Sequence, residues 1–558
     1  MKKRFLSIVL TAVLGISILT ACSGDGSVYT EGAKAMSAED AKSEMDSLLK
    51  KVNVSTTSDP IMDIYFDNSS AVALADIDTF PITEEGHGQI NIEIAAATEL
   101  SADAPDDWIN VVAKNFNREG YSIDGKSVTV SVRKITSGEV VTYINAGVYE
   151  PEVFIPSNDA WGKMLEASGI GIDKITDRIA GNTAGLLIKQ DVYNYFTSKY
   201  GEATVASVLE AANAGDITFA YTNPYTSSTG LNILCAMLYA FDSNDPLSDK
   251  ASAALLEYQK DAPPVAYNTA VLRNSAKKGL VNAMVMEEQA YINTPELKNY
   301  EYIPAGIRHD HPVYVFDWDT NGEKQAAQMF VDYCLNSDNQ KLATEKGFNR
   351  HDDYKGQNNG MSGTDYLAAQ SLWKQNKNGG RPVVAVFIAD VSGSMDGEPL
   401  NSLKESLLSS SAYIGSEHYI GLVSYSNDVN INLPISEFND EQKAYFAGEV
   451  KGLSANGSTA TYDAVLVAMS MIEEKLAEVP DGKPMIFVLT DGEQNQGFSL
   501  SRITGIVGGL KIPVYSIAYN YKDNGDLQTL SGINEAAMIK AGSDDIVNQL
   551  RNLFNVNL

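Results

Sequence analysis

Three short stretches of this sequence carry oxygen-bearing side chains suited to a hard cation. They are Asp390-Val391-Ser392-Gly393-Ser394, Gly457-Ser458-Thr459-Ala460 and Leu489-Thr490-Asp491-Gly492. Asp390 and Asp491 offer carboxylates; Ser392, Ser394 and Thr459 offer hydroxyls. A donor set of hard oxygens, without His or Cys, suits Mg²⁺, Mn²⁺ or Ca²⁺ rather than Zn²⁺. A second group of hydroxyls lies upstream, at Ser101, Ser137, Ser157 and the run Ser227-Ser228-Thr229. Ser137 and the Ser227 run stand where helices should begin, and free backbone N–H groups there can hold an anion. Four such loops facing one cleft would take an oxyanion or a polar small molecule, with Trp161 and Tyr225 as candidate walls. Ser and Thr are also the commonest helix caps, and capping accounts for any one of these loops alone.

The elements that must position the first group begin at residue 382. The continuous apolar run of residues 383–389 reads as a strand buried on both faces of a parallel sheet. Further strands are expected at 419–425, 485–489 and 514–519, with helices at 400–414, 462–476 and 499–510. This pattern is a doubly wound α/β domain over residues 382–558, with its ligand site at the carboxyl ends of the strands. Asp390 and Asp491 fall at those ends. Residues 89–355 also alternate: strands at 90–98, 128–135 and 152–156, helices at 106–117 and 138–146. Between the two lies a polar, Gly/Asn-rich linker, residues 356–381, in which 366–373 is helical enough to dock. Residues 23–88 read as a tether plus a short element, with Ser37 capping an amphipathic helix to about residue 51.

The first 22 residues read as a targeting segment. Met1-Lys2-Lys3-Arg4 is cationic, residues 5–19 are apolar but short for a membrane helix, and Leu19-Thr20-Ala21-Cys22 follows. That ending resembles a bacterial lipobox, which implies cleavage before Cys22, a lipid on its thiol, and a protein tethered at the extracytoplasmic face of the cell membrane. The 558 residues carry a formal net charge of −30, which argues against nucleic acid or anionic lipid as the main partner. The remaining cysteines, Cys235 and Cys334, sit in apolar helical patterns and are expected to be buried free thiols.

The Asp390-x-Ser392-x-Ser394 stretch, with Thr459 and Asp491, resembles the metal-ion-dependent adhesion site (MIDAS) of the von Willebrand factor A (VWA) family. That resemblance implies that Ser392, Ser394 and Thr459 touch the metal while Asp390 and Asp491 act through bound water. A first shell of neutral hydroxyls leaves the cation able to take a carboxylate from an acidic protein partner, so the site implied is a socket and no enzyme is expected. A phosphatase of the haloacid dehalogenase type would want an Asp where Ser392 stands. Serine hydrolysis lacks a His beside a Gly-x-Ser-x-Gly turn. Residues 89–355 are similar to the extracellular solute-binding proteins of bacterial ABC importers, on the stretches 152–157, 220–230 and 324–348. This implies a two-lobed, type II periplasmic-binding domain ahead of the Rossmann-like VWA domain. Two functions follow: adhesion or assembly through the metal, or solute capture for an importer with the VWA domain as a docking unit.

Overall fold

The run Val383–Asp390 is buried at every position, as a parallel strand covered on both faces must be. The computed structural model describes residues 36–63, 74, 76–261, 265–266, 272–273, 276, 281–357, 360–411, 414–492, 494–519, 525–534, 538–541 and 553. The stretch that resembles a lipobox, with Cys22, lies outside the described residues.

The described chain opens with α1 (Ala38–Leu49) and β1 (Val54–Thr56). A first lobe follows, with β2 (Ile82–Glu84), β3 (Ile90–Ala96), α2 (Thr98–Ser101), α3 (Trp108–Glu119), β4 (Ser122–Ile123), β5 (Lys126–Lys134), α4 (Ser137–Asn145), β6 (Val153–Ile155), α5 (Ala160–Ala167) and β7 (Ile172–Thr176). The second lobe holds β8 (Thr183–Lys189), α6 (Gln190–Tyr200), α7 (Val205–Asn213), β9 (Phe219–Ala220), α8 (Ser228–Phe241), α9 (Asp249–Asp261), β10 (Ala283–Glu287), α10 (Glu288–Ile292) and β11 (Tyr300–Arg308). The chain returns to the first lobe through β12 (Val313–Phe316), α11 (Asn321–Cys334) and α12 (Ser337–Glu345), then forms α13 (Gly363–Asn376). The C-terminal domain comprises β13 (Val383–Asp390), α14 (Glu398–Ser411), β14 (Tyr419–Tyr425), β15 (Val429–Glu437), α15 (Asp440–Gly452), α16 (Thr461–Glu478), β16 (Lys483–Thr490), α17 (Leu500–Leu510), β17 (Val514–Tyr519), α18 (Asp526–Ile533) and β18 (Met538–Ala541).

Each lobe has its own sheet, ordered β2-β5-β3-β6-β12-β7 in the first and β11-β8-β10-β9 in the second. The chain crosses between them after β7 and again after β11, so two short connections form the hinge. The C-terminal sheet runs β1-β15-β14-β13-β16-β17-β18. There β13 is parallel to β14 and β16, with Ala389 level with Leu489. That register puts the residues following both strands on one rim. Cys235 and Cys334 are free and buried, as their apolar surroundings foretold.

In two stretches the expected helix is present and the structure adds where it packs. The region 23–88 is no simple tether where it is described. Ser37 caps α1 by accepting from the Asp40 N–H, and Ala41, Met45 and Leu48 form its buried stripe. That stripe packs on α17 and α16, and β1 extends the C-terminal sheet, pairing in parallel with β15 from Val54 opposite Val429. Farther on, β2 already pairs with β5, so the first lobe begins before residue 89. In the linker stretch 356–381 the helix expected at 366–373 is present and docked, and it extends beyond those bounds. This is α13, whose Tyr366, Gln370 and Trp373 are buried, and Gly379, at φ +64°, turns tightly enough that a Cβ would lie 2.8 Å from Lys260 Cα.

Candidate functional site

At the carboxyl rim of the C-terminal sheet, β13 ends on Asp390, which is fully buried. One carboxylate oxygen accepts the Ser392 N–H at 2.8 Å. The other accepts the Tyr425 hydroxyl at 3.2 Å and the Thr490 hydroxyl at 2.5 Å. The hydroxyls of Ser392 and Ser394 lie 3.1 Å apart, and Ser394 donates to Asp491 Oδ1 at 2.8 Å. The loop bearing Thr459 is drawn alongside, because Gly393 N–H donates to Gly457 O at 3.0 Å and Asn456 N–H to Val391 O at 2.8 Å. Asn427 accepts the Ser458 N–H at 2.8 Å and Asn495 the Thr459 N–H at 2.9 Å. Burial pushes the carboxyl of Asp390 up from its usual range against these hydrogen bonds, and does the same to Asp491.

The upstream hydroxyls divide. The hydroxyls of Ser137 and Ser228 meet at the seam between the lobes, while Ser157 contributes its backbone N–H and its side chain hydrogen-bonds Glu99. There Ser157 N–H donates to Ser137 Oγ at 3.2 Å, Ser228 Oγ to Ser137 Oγ at 3.3 Å, and Trp161 Nε1 to Ser228 Oγ at 2.8 Å. Thr229 instead donates to Glu287 Oε1 at 3.0 Å. Ser227 is an N-cap that accepts the Gly230 N–H at 3.2 Å and the Thr222 hydroxyl at 2.8 Å. Ser101 lies at the end of α2 with its hydroxyl on the carbonyls of Ala96 and Ala97. Ser227 and Ser101 are thus spent on partners close in sequence, the ordinary use of such residues next to helix ends.

The seam also holds groups that the hydroxyl pattern did not flag. His309 and His311 occupy the second hinge connection, both fully buried. Glu287 Oε1 lies 2.5 Å from His309 Nδ1, and Asn158 Nδ2 is 3.0 Å from its Nε2. His311 sits 2.8 Å from Ala180 O and 3.2 Å from Glu99 Oε1. Two of five histidines within one tripeptide was the signal available for this pair.

Comparison with known proteins now assigns both halves. Residues 98–349 match the bacterial extracellular solute-binding protein family, and residues 385–554 match the von Willebrand factor type A domain. The chain joins a solute-binding domain to a VWA domain. Among curated relatives, inter-alpha-trypsin inhibitor heavy chain H3 of Bos taurus is 30% identical over 166 residues, which is 26% of this chain and 18% of that protein. Heavy chain H1 of Homo sapiens is 25% identical over 204 residues, covering 34% and 21%. This chain's match therefore spans only about a fifth of those relatives. Among solved structures, iron-bound HitA from Pseudomonas aeruginosa aligns at 14% identity and TM-score 0.38, over 52% of this chain and 99% of that one. A von Willebrand factor type A protein from Catenulispora acidiphila aligns at 17% identity and TM-score 0.29, over 31% and 42%.

The rim of the VWA domain fits a divalent cation on its donor chemistry. Its oxygens are carboxylate and hydroxyl only, and the hydrogen bonds to Asp390 and Asp491 among the described residues come from hydroxyls and backbone N–H, none from a cationic side chain. A dication would offset the charge that burial penalises. Tyr425 and Thr490, which hold Asp390 in place, were missed in the sequence; both end strands next to the acidic loop, which was the cue.

Proposed function

We propose that this protein is a lipid-anchored extracytoplasmic protein that grips an acidic protein partner through a divalent cation in its VWA domain. Asp390, Ser392, Ser394, Thr459 and Asp491 would hold Mg²⁺, or Mn²⁺ or Ca²⁺ in its place. Cys22 would carry the lipid. The observation that carries this reading is the chain of contacts from Ser392 through Ser394 to Asp491, beside the buried Asp390. A Lewis-acidic ion there would offer a coordination place to an incoming carboxylate. This chain's residues orient that place: Thr490 and Tyr425 fix Asp390, and Asn427 and Asn495 fix the Thr459 loop.

Calorimetry on the whole chain should detect uptake of Mg²⁺ or Mn²⁺, lost in Ser392→Ala at an unchanged circular dichroism spectrum. With Mn²⁺ bound, a glutamate-bearing peptide should lower water-proton relaxation as it displaces a bound water. Failure to take up Mg²⁺, Mn²⁺ or Ca²⁺ would overturn the proposal. Both matched families are binding families rather than enzymes.

The match over residues 98–349 favours a second reading, solute capture for a membrane importer. The carboxylates of Glu99 and Glu287 beside the seam hydroxyls make it a poor seat for an oxyanion and a better one for a polar solute rich in N–H or O–H donors. Thermal shifts of the whole chain against amino acids, sugars and oxyanions test this, because a native-state ligand raises stability.

A further inference from the structure

One helix outside both matched regions spans the seam between the lobes. Family matches cover residues 98–349 and 385–554, and α13 belongs to neither. Reciprocal hydrogen bonds between Ser362 and Asp365 fix its start. Its first turn lies on the first lobe: a Cβ on Gly363 would sit 1.9 Å from Lys163 O and 2.8 Å from Ala167 Cβ, both in α5. Its second half lies on the other lobe. Gln370 Nε2 donates to Pro224 O at 2.9 Å, and Trp373 Nε1 to the Tyr221 hydroxyl at 2.9 Å. The Trp373 and Tyr225 rings meet at 5.9 Å.

The connection onward has little slack. Lys377 N–H donates to Trp373 O at 2.7 Å and Gly379 N–H to Asn376 O at 2.8 Å. The Lys377 ammonium lies 5.9 Å from the Trp373 ring. Three residues later, Pro382 O accepts the Lys483 N–H at 2.8 Å, and Val383 N–H donates to His418 Nδ1 at 3.2 Å. From there β13 runs straight to Asp390.

We propose that α13 is a clasp: it holds the two lobes closed and passes their opening to the metal loops of the VWA domain. A single helix seated on both lobes keeps both seats only while the lobes stay together. When they part, α13 must leave one of them, and the pinned segment 377–382 carries that displacement to the base of β13. Coupling of this kind is reciprocal, so whatever favours open lobes changes cation affinity by the same factor as the cation changes lobe opening. The second half of this proposal rests on the metal reading above; the clasp itself does not.

The test uses the whole chain with Trp373→Ala/Gln370→Ala, with Gln370→Ala alone as the milder variant should the double one fold poorly, and with exposed Thr364→Ala as control. Hydrogen exchange at residues 135–140 and 222–230 should rise at least tenfold in the clasp variants, with β5 and β17 unchanged. Titration with Mg²⁺ alone should show an affinity changed at least threefold. Unchanged exchange at the seam overturns the clasp. Faster exchange with unchanged Mg²⁺ affinity overturns the transmission. Absence of Mg²⁺ uptake by the unmodified protein overturns the metal reading and with it the transmission, and leaves the exchange result to decide the clasp.

Discussion

At the scale of single residues, the proposed cation site depends on the groups that hold its carboxylates as well as on the carboxylates themselves. Thr490 touches no solvent and donates to Asp390, so Thr490→Val should weaken Mg²⁺ binding by about 10–100-fold, the usual cost of losing a partner behind a ligand. Calorimetry reads this directly. At the hinge, burial works to raise Glu99 and lower His311. Their hydrogen bond and mutual charge prevail, leaving Glu99 below its ordinary 4.5 and His311 above its ordinary 6.5. A raised histidine contributes stability that is complete below about pH 6.5 and is lost as pH climbs through its folded value; a lowered glutamate contributes above pH 4.5 and loses it in acid. The pair is therefore strongest between these limits. Melting temperatures of the protein should fall from pH 6 towards pH 8, and His311→Gln should flatten that fall. That Asp390 and Asp491 share a rim was legible because doubly wound sheets bring their strand ends together there; the nearness of the Thr459 loop, which follows a helix, was implied only by the resemblance. The hinge histidines were not legible, since their carboxylate partners lie 22 and 212 positions away.

At the scale of elements, legibility tracks how much of an element's identity is local. β13, β14, β16 and β17 fall within a few residues of expectation, because apolar runs bounded by turn residues admit little else. The helix after Ser37 was equally clear as a helix. Its destination was hidden: an amphipathic stripe declares that a face is buried, never against what. Met45 and Leu48 are each 1% exposed, in one apolar cluster with Val465, Ile503 and Val507 of α16 and α17. Met45→Ala and Leu48→Ala should each cost about 2–5 kcal/mol in the VWA domain, measured by denaturant titration. For α13 the sequence 366–373 reads as a helix able to dock, and the buried Tyr366, Gln370 and Trp373 show that it does; what a polar surrounding stretch could not declare was that the helix seats on both lobes.

At the scale of the molecule, the solute-binding domain is set between β1 and β13 of one sheet, so the VWA domain is assembled from chain on both sides of it. Residues 382–558 expressed alone should elute as larger or aggregated species and melt lower than the whole protein, and fusing residues 36–63 in front through a flexible loop should restore the melt. Saturating Mg²⁺ should stabilise the intact protein by about 2.7 kcal/mol at a hundredfold excess over Kd, a gain that EDTA removes. The split sheet also constrains biogenesis. Ser55 hydrogen-bonds Asn430 across 375 positions of chain, so the early helix and strand emerge long before the surface that will cover them. Until the last third of the polypeptide arrives, the side chains of Ala41, Met45 and Leu48 are sticky cargo, and whatever escorts the nascent chain must shield them through that interval.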